Sequence, residues 1–208
     1  MGKRDRISEA VIRRLPTYYH CLKGLENSGI GRVSSSVISG MLNVTASQVR
    51  QDFSNFGEFG QQGYGYDVTY LKNQISGILG LDKNYNVVLI GAGRIGRALL
   101  SYKGFTEEGF NFIGVFDAFE PEGAIAGVPL MNIGRFDNFA AKNKIDIAVI
   151  ATPAESAKET AQKVKKAGIN AIWNFAPIFL YMGEDVAIEN ISMSESLFML
   201  AYKMNSRK

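Results

Sequence analysis

Cysteine and histidine are each present once, as Cys21 and His20. One cysteine excludes an intrachain disulfide, and a reducing cytoplasm is the expected location. Proline is scarce, 5 residues against 22 glycines, which favours tight turns and close backbone approaches over disordered linkers. No apolar run approaches the roughly 20 residues of a membrane helix; Val87-Val88-Leu89-Ile90 is among the longest. The basic start, Met1 to Arg6, lacks the apolar stretch of a signal peptide, and Arg6 stands where a myristoylation signal carries Ser or Thr. Neither a leader, a lipid anchor, a membrane span nor a metal site is expected. What remains is an ordinary globular composition, 46% hydrophobic and 21% charged.

The net charge of +3 is unevenly placed. Residues 1–80 carry nine Lys/Arg against six Asp/Glu, a surplus of three, and residues 81–208 carry fourteen of each. The whole excess therefore lies in the first part, as it does when a small domain meets a polyanion.

That first part reads as helical. Ser8 can cap a helix through Val11, Ile12, Leu15, Tyr18, Tyr19 and Leu22, an i, i+3, i+4, i+7 face, with Pro16 expected to kink or interrupt it. Gly29 and Gly31 mark a turn. Ser34-Ser35-Ser36 offers caps for a second helix through Val37, Ile38, Met41 and Leu42. Thr45 caps a third, Ala46 to about Phe53. Two short helices joined by a tight turn form a helix-turn-helix. From Phe56 to Tyr66 aromatics alternate with glycines around Gln61-Gln62, which reads as a hairpin, or wing. Asp67 then caps a helix through Leu71, Ile75 and Leu79, and residues 81–85 form a junction.

Beyond it, strands at Val87–Ile90, Phe112–Phe116, Ile145–Ile150, Ala171–Phe175 and Val186–Ile191 alternate with helices at Ile95–Tyr102, Ile133–Lys142 and Glu155–Ala167. Strands apolar on both faces between helices imply a doubly wound parallel sheet of the Rossmann type. Ser194 to Met204 forms a last, apolar helix. The fold class is thus α/β: a winged helix-turn-helix domain at 1–82, a Rossmann domain at 83–192 and a C-terminal helix at 193–208.

Gly91-Ala92-Gly93-Arg94-Ile95-Gly96 follows a strand and opens a helix, the G-x-G-x-x-G pattern of dinucleotide binding. Gly91 permits the turn, Gly93 lets the backbone near a pyrophosphate, and Gly96 lets helix and strand pack closely. Asp117, 21 residues beyond Gly96 at the end of the second strand, suits the adenosine ribose hydroxyls and selects NADH and NAD+ over their 2′-phosphorylated forms. A solvated strand-end acid is the plainer reading of Asp117. Thr152-Pro153 and Phe175 fall at carboxyl ends of strands, where such sheets place ligands. A loop-anchoring proline and a core phenylalanine are their plainer readings.

Exposed residues of the third helix suit double-stranded DNA. Gln48 or Gln51 can pair bidentately with adenine, and Arg50 with guanine. A structural ion pair of Arg50 with Asp52 or Glu58 is the alternative. Arg32, Ser34 and Ser35 stand where phosphate contacts fix register, and Gln61 and Gln62 where a wing enters the minor groove.

These residues together resemble the Rex family of bacterial redox-sensing transcriptional repressors over nearly the whole chain. The resemblance rests on Ser34-Ser35, Val44 through Asp52 including Ser47, Phe56-Gly57 through Tyr64-Gly65-Tyr66, Leu79-Gly80-Leu81, Gly91-Ala92-Gly93, Asn174 through Pro177 and Val186 through Asn190. It implies a homodimer on a palindromic operator, an exchanged C-terminal helix, release by NADH and binding permitted by NAD+. It places Tyr64 in the DNA-binding wing and Tyr102 near the nicotinamide. Some members couple their domains through a basic residue and an acid where this chain has His20 and Ser192, and some have Lys at Gln51.

The rival is an NAD-dependent oxidoreductase. Hydride transfer to a carbonyl usually needs an adjacent proton donor. The one histidine lies in the first domain, Tyr102 is the remaining candidate, and little chain is left for a substrate domain. A regulator, not an enzyme, is expected. A coenzyme A-binding domain is a second rival, opposed by Asp117 and the full glycine loop. An architectural dimer without a small-molecule ligand is a third.

Overall fold

In the computed structural model residues 7–56, 64–206 and the backbone of 60–61 are described. Two compact units divide the chain, Met1–Lys83 and Asn84–Lys208.

In the first unit α1 (Glu9–Ile12) stops short, Arg13 and Arg14 form a turn, and α2 (Leu15–Asn27) restarts with Pro16 in its first turn. Proline belongs there, because those N–H groups have no intrahelical partner. Ser8 occupies the cap position of α1, but its hydroxyl makes no capping bond, so the expected side-chain cap is not formed. The next three helices are capped as the sequence dictates. Ser34 accepts from the Val37 N–H ahead of α3 (Ser35–Leu42), Thr45 from Gln48 ahead of α4 (Ala46–Ser54), and Asp67 from Tyr70 ahead of α5 (Val68–Leu79). Each such cap stabilises by about 1 kcal/mol. Asn43, at φ 54°, makes the left-handed turn between α3 and α4, a conformation that asparagine tolerates better than most residues. The glycine turn at 29–31 leads into a strand that sequence reasoning did not foresee. β1 (Arg32–Val33) joins β3 (Gly65–Asp67), which pairs on its other side with β2 (Gly60–Gln61), all antiparallel. Leu15, Tyr18 and Leu22 of α2, Ile38 of α3, Val49 and Phe53 of α4, and Leu71 and Ile75 of α5 form one buried core.

In the second unit β4 (Tyr85–Ile90) sends Val87 and Leu89 to one face and Val88 and Ile90 to the other, all buried. It lies between β5 (Phe110–Asp117) and β8 (Ile147–Ile150). The chain runs from β4 through α6 (Arg94–Ser101), a short α7 (Gly104–Glu107) and β5 to an edge hairpin, β6 (Gly123–Ile125) and β7 (Val128–Asn132). A 3₁₀ turn and α8 (Phe136–Lys142) then cross to β8, followed by α9 (Ala154–Lys166), β9 (Ala171–Asn174) and β10 (Ala187–Asn190). The order β10-β9-β8-β4-β5-β7-β6 is parallel throughout except at β6. Counting parallel strands along the chain gives 3-2-1-4-5-6, the doubly wound Rossmann order. Connections leave β4 in opposite directions, so a crevice opens at the carboxyl ends of β4 and β8. α10 (Met193–Asn205) ends the chain with no buried residue.

Candidate functional site

The crevice at the end of β4 is a cleft of about 820 Å³. Gly91, Gly93, Arg94, Ile95, Asp117, Thr152 and Pro153 all line it, so seven residues from three separate stretches of chain meet there. Gly91 is held at φ +105°, and a Cβ on it would lie 2.5 Å from the Ala151 carbonyl oxygen. A Cβ on Gly96 would lie 2.1 Å from the Gly91 oxygen, so Gly96 lets α6 close against the turn. Gly93 differs: a Cβ there meets no protein atom within 4 Å, and it faces open space rather than a neighbour. α6 begins at Arg94 without a side-chain cap, which leaves its first N–H groups and positive dipole end free for an anion.

Asp117 is tied into this turn. Its Oδ2 accepts from the Ala92 N–H at 2.8 Å and its Oδ1 from Phe119 and Glu120 at 2.8 and 3.1 Å. Burial alone raises its pKa, but these backbone donors and that of Ala118 outweigh burial and hold it below the ordinary aspartate value. It is an anion already bonded by these backbone N–H groups, and a ribose hydroxyl would share its acceptor oxygens. In the same cleft, the Thr152 hydroxyl is buried without a hydrogen-bond partner among the described residues. An orphaned polar atom, an unfilled approach at Gly93 and an uncapped helix start all fit a phosphate-bearing dinucleotide. Phe119, 97% exposed and on the cleft wall, was not foreseen. The Arg97–Glu120 ion pair, 2.9 Å, is carried by another wall residue.

Tyr102 and Phe175 are not among the cleft's lining residues. They belong instead to an aromatic chain. Tyr102 packs edge-on against Phe105 at 4.8 Å, Phe105 against Trp173 at 5.5 Å, and Trp173 against Phe175 at 4.6 Å. Trp173 links the two residues that the sequence singled out. Its place was hidden because a tryptophan in an apolar strand reads as core.

In the first unit Arg50 reaches across the helix-turn-helix. Its guanidinium donates to Ser35 Oγ on α3 at 3.0 Å and to Ser47 Oγ on α4 at 3.1 Å. Asp52 is therefore not its partner; Glu58 lies outside the described residues. Arg32 on β1 donates to the Tyr64 carbonyl at 3.4 Å, with its guanidinium 6.0 Å from the ring centre of Tyr64, which is largely exposed. Ser34 Oγ accepts the Val37 N–H as its cap at 3.2 Å, which still leaves its O–H as a donor. Gln51 stands exposed on α4. Gln62 and the Gln61 side chain lie outside the described residues. Gln48, expected to face bases, donates its amide to Asp52 at 2.8 Å.

Asp52 was missed as a site residue. It is fully buried, bonded to Arg14, Tyr18 and Gln48. Burial alone raises its pKa, but the three donors, Arg14 first, hold it low. The signal was present: Val49, Asp52 and Phe53 share the inner face of α4, and an acid there needs partners. His20 is exposed, its ring 5.6 Å from that of Tyr19, and the Ser192 hydroxyl lies 3.2 Å from that of Ser194. Among the described residues no group of His, Cys, Asp or Glu that could hold a metal ion occurs, and no helix is long and apolar enough to cross a membrane.

Comparison with known proteins now decides the family. A redox-sensing transcriptional repressor Rex of Caldanaerobacter subterraneus subsp. tengcongensis is 47% identical over 211 residues, spanning 100% of this chain and 94% of that one. One of Clostridioides difficile is 46% identical over 205 residues, 97% of each. The chain belongs to the Rex family. It is accordingly a redox-sensing transcriptional repressor and not an enzyme. Two solved Rex-family structures support the assignment. That of RSP with beta-NADH superposes with a TM-score of 0.88 at 43% identity, covering 97% of this chain and 96% of that one. That of RSP with beta-NAD+ and operator DNA gives 0.87 at 45% identity, covering 97% and 94%. Family models match each part of this Rex chain separately: residues 6–54 fit one described as "Putative DNA-binding protein N-terminus", and residues 82–178 one described as "CoA binding domain".

Proposed function

We propose that this Rex protein binds a palindromic operator as a homodimer in the bacterial cytoplasm and leaves it when NADH occupies the cleft at the end of β4. The observation that carries this reading is the cleft itself: a glycine turn, an uncapped helix start, an anionic Asp117 and the unpartnered Thr152 hydroxyl face one space. The α6 N-terminus and the backbone at Gly91–Gly96 hold the pyrophosphate. Asp117 accepts from a ribose hydroxyl and repels a 2′-phosphate, and Thr152 and Pro153 bound the site. Coenzyme A carries a 3′-phosphate on its adenosine ribose, which the Asp117 carboxylate would repel as well, so this acid opposes the coenzyme A-like alternative.

The nicotinamide end lies toward Phe175, Tyr102 and their aromatic chain. Reduced nicotinamide is neutral and the oxidised ring is cationic. An aromatic face returns about 0.5–2 kcal/mol to a cation, less than the several kcal/mol lost when a charge gives up its water. A site that excludes water therefore prefers NADH.

In the first unit Arg50, Gln51 and Ser47 of α4 meet the major groove, Ser34 and Ser35 fix phosphates, and Arg32, Gln61, Gln62 and Tyr64 form the wing contact. The chain divides functionally into a reader at 1–82, a sensor at 83–192 and an exchanged dimer helix at 193–208. Two dimer arrangements differ in the spacing of the paired readers, and NADH favours the one that misfits the operator, since equal affinity for both shifts nothing.

An operator gel shift titrated in parallel with NADH, NAD+ and coenzyme A tests the reading. NADH is expected to release the DNA at concentrations where NAD+ does not, with no effect of coenzyme A. Release by coenzyme A, or equal response to both nicotinamide forms, overturns it.

A further inference from the structure

A buried carboxylate on a helix that reads DNA demands an account. Asp52 sits on the inner face of α4 between Val49 and Phe53. Its Oδ2 accepts from Arg14 Nε at 2.6 Å and from the Tyr18 hydroxyl at 2.7 Å. Its Oδ1 accepts from Arg14 Nη2 at 2.8 Å and from Gln48 Nε2 at 2.8 Å. Two donors on each oxygen fill the roughly four acceptor sites of a carboxylate. Arg14 comes from the turn between α1 and α2, and Tyr18 from α2, so the acid binds α4 to an element far away in sequence. The Tyr18 ring also packs edge-on against Phe53 at 4.9 Å. Turning α4 about its axis would strip donors from a charge that has no water to replace them.

Gln48 supplies the fourth bond from the first turn of α4. Bidentate reading of adenine needs the amide nitrogen and oxygen of a glutamine aimed together at the base edge, and here one of the two N–H donors is held by Asp52 at 2.8 Å, which turns the amide toward the inner face of α4. We propose that Gln48 is a positioning residue rather than a base reader: with Arg14 and Tyr18 it saturates Asp52 and fixes the rotation of α4, leaving discrimination between bases to Ser47, Arg50 and Gln51. This rests on the reading of α4 as the recognition helix.

The test uses the full-length protein, its operator and a panel of operators each changed at one base pair of the half-site. Gln48→Ala should lower affinity for every member by a common factor of roughly 2–10, the range to which one hydrogen bond corresponds. The ranking of the panel and the affinity for NADH should not change. Tyr18→Phe removes a different donor from the same carboxylate and should give the same uniform loss. Its melting temperature is measured alongside, to show that the domain is folded. Gln48→Ala that relaxes discrimination at one base pair, or that binds the whole panel like the parent, overturns the proposal. Arg50→Ala separates the two readings. Operator binding like the parent's would remove α4 from DNA recognition altogether, whereas its loss together with a base-specific effect of Gln48→Ala removes only the proposal.

Discussion

At the level of single residues, two glycines of one motif answer to different physics. Gly91 is required by the protein itself: its φ of +105° is one that side chains rarely adopt, and the Ala151 carbonyl already stands where a Cβ would go. Gly93 has an ordinary φ of −69° and no protein neighbour. The two substitutions to alanine should therefore part company. Gly91→Ala should destabilise the second unit by about 2 kcal/mol or more, from backbone strain alone at about 1–3 kcal/mol with the clash added. Gly93→Ala should leave the melting of the nucleotide-free protein within the roughly 0.5 kcal/mol typical of a surface change. It should nevertheless weaken NADH binding tenfold or more, because its Cβ enters the space assigned to the pyrophosphate. Thermal melting with a fluorescence titration of NADH reads both effects. A Gly93→Ala protein with parental NADH affinity would place the pyrophosphate elsewhere.

Elements were legible in the sequence wherever a local signal set them. α3, α4 and α5 start at the Ser34, Thr45 and Asp67 caps because each side chain satisfies an N–H three residues on. β4 and β8 were readable as apolar runs because both of their faces are buried. The sheet edge was not readable: β6 is three residues long, with no fully buried one, and β7 contains Pro129, which reads as a breaker yet is tolerated near the strand's start, before its pairing with β5 begins at Leu130. β1 was hidden for a related reason, since two residues after a glycine turn carry no period. The bonds from Arg14 and Tyr18 to Asp52 span 38 and 34 residues, a distance at which no sequence pattern speaks. The glycine turn and Asp117 could be found because their chemistry is local, while the joining of Tyr102 to Phe175 needed the fold. α10 presents the reverse case, a helix plain in the sequence whose apolar face is exposed. Met193, Leu197, Leu200 and Met204 repeat at four, three and four residues on one face, and all are exposed. A lone helix of 13 residues is marginal in water, so a covering surface is implied, and the proposed exchange between subunits supplies one. Leu197→Glu with Leu200→Glu alters four leucines per dimer that the proposed exchange would bury. At about 1.5 kcal/mol or more for each, the dimer should weaken by about four orders of magnitude. Sedimentation should then show monomers at micromolar protein, and a dimer as tight as the parent's would mean that α10 is not at the interface.

For the molecule as a whole, sensing is a statement about linked equilibria, and linkage is reciprocal. If NADH favours the dimer arrangement that misfits the operator, then the operator must disfavour NADH by the same free energy, whatever path joins the two units. With two nucleotide sites per dimer, the ratio of operator affinities without and with saturating NADH equals the product of the two site ratios for NADH without and with saturating operator. The size is bounded too. A swing from 1:99 to 99:1 between arrangements takes about 5.5 kcal/mol of differential affinity, shared between the two sites. Each bound NADH then supplies about half of that, near the upper end of the roughly 1–3 kcal/mol usual for coupled sites. NADH affinity per site should thus fall about a hundredfold when the operator is present in excess. The fall for NAD+ should be much smaller, since the cationic ring is the form that leaves the reader on DNA. Fluorescence titrations of each nucleotide with and without a saturating operator duplex, beside operator titrations with and without NADH, close the cycle. NADH affinity unchanged by the operator would mean that any release seen in a gel arises from something other than the cleft at Gly91, because two ligands that compete through one equilibrium cannot do so in one direction only.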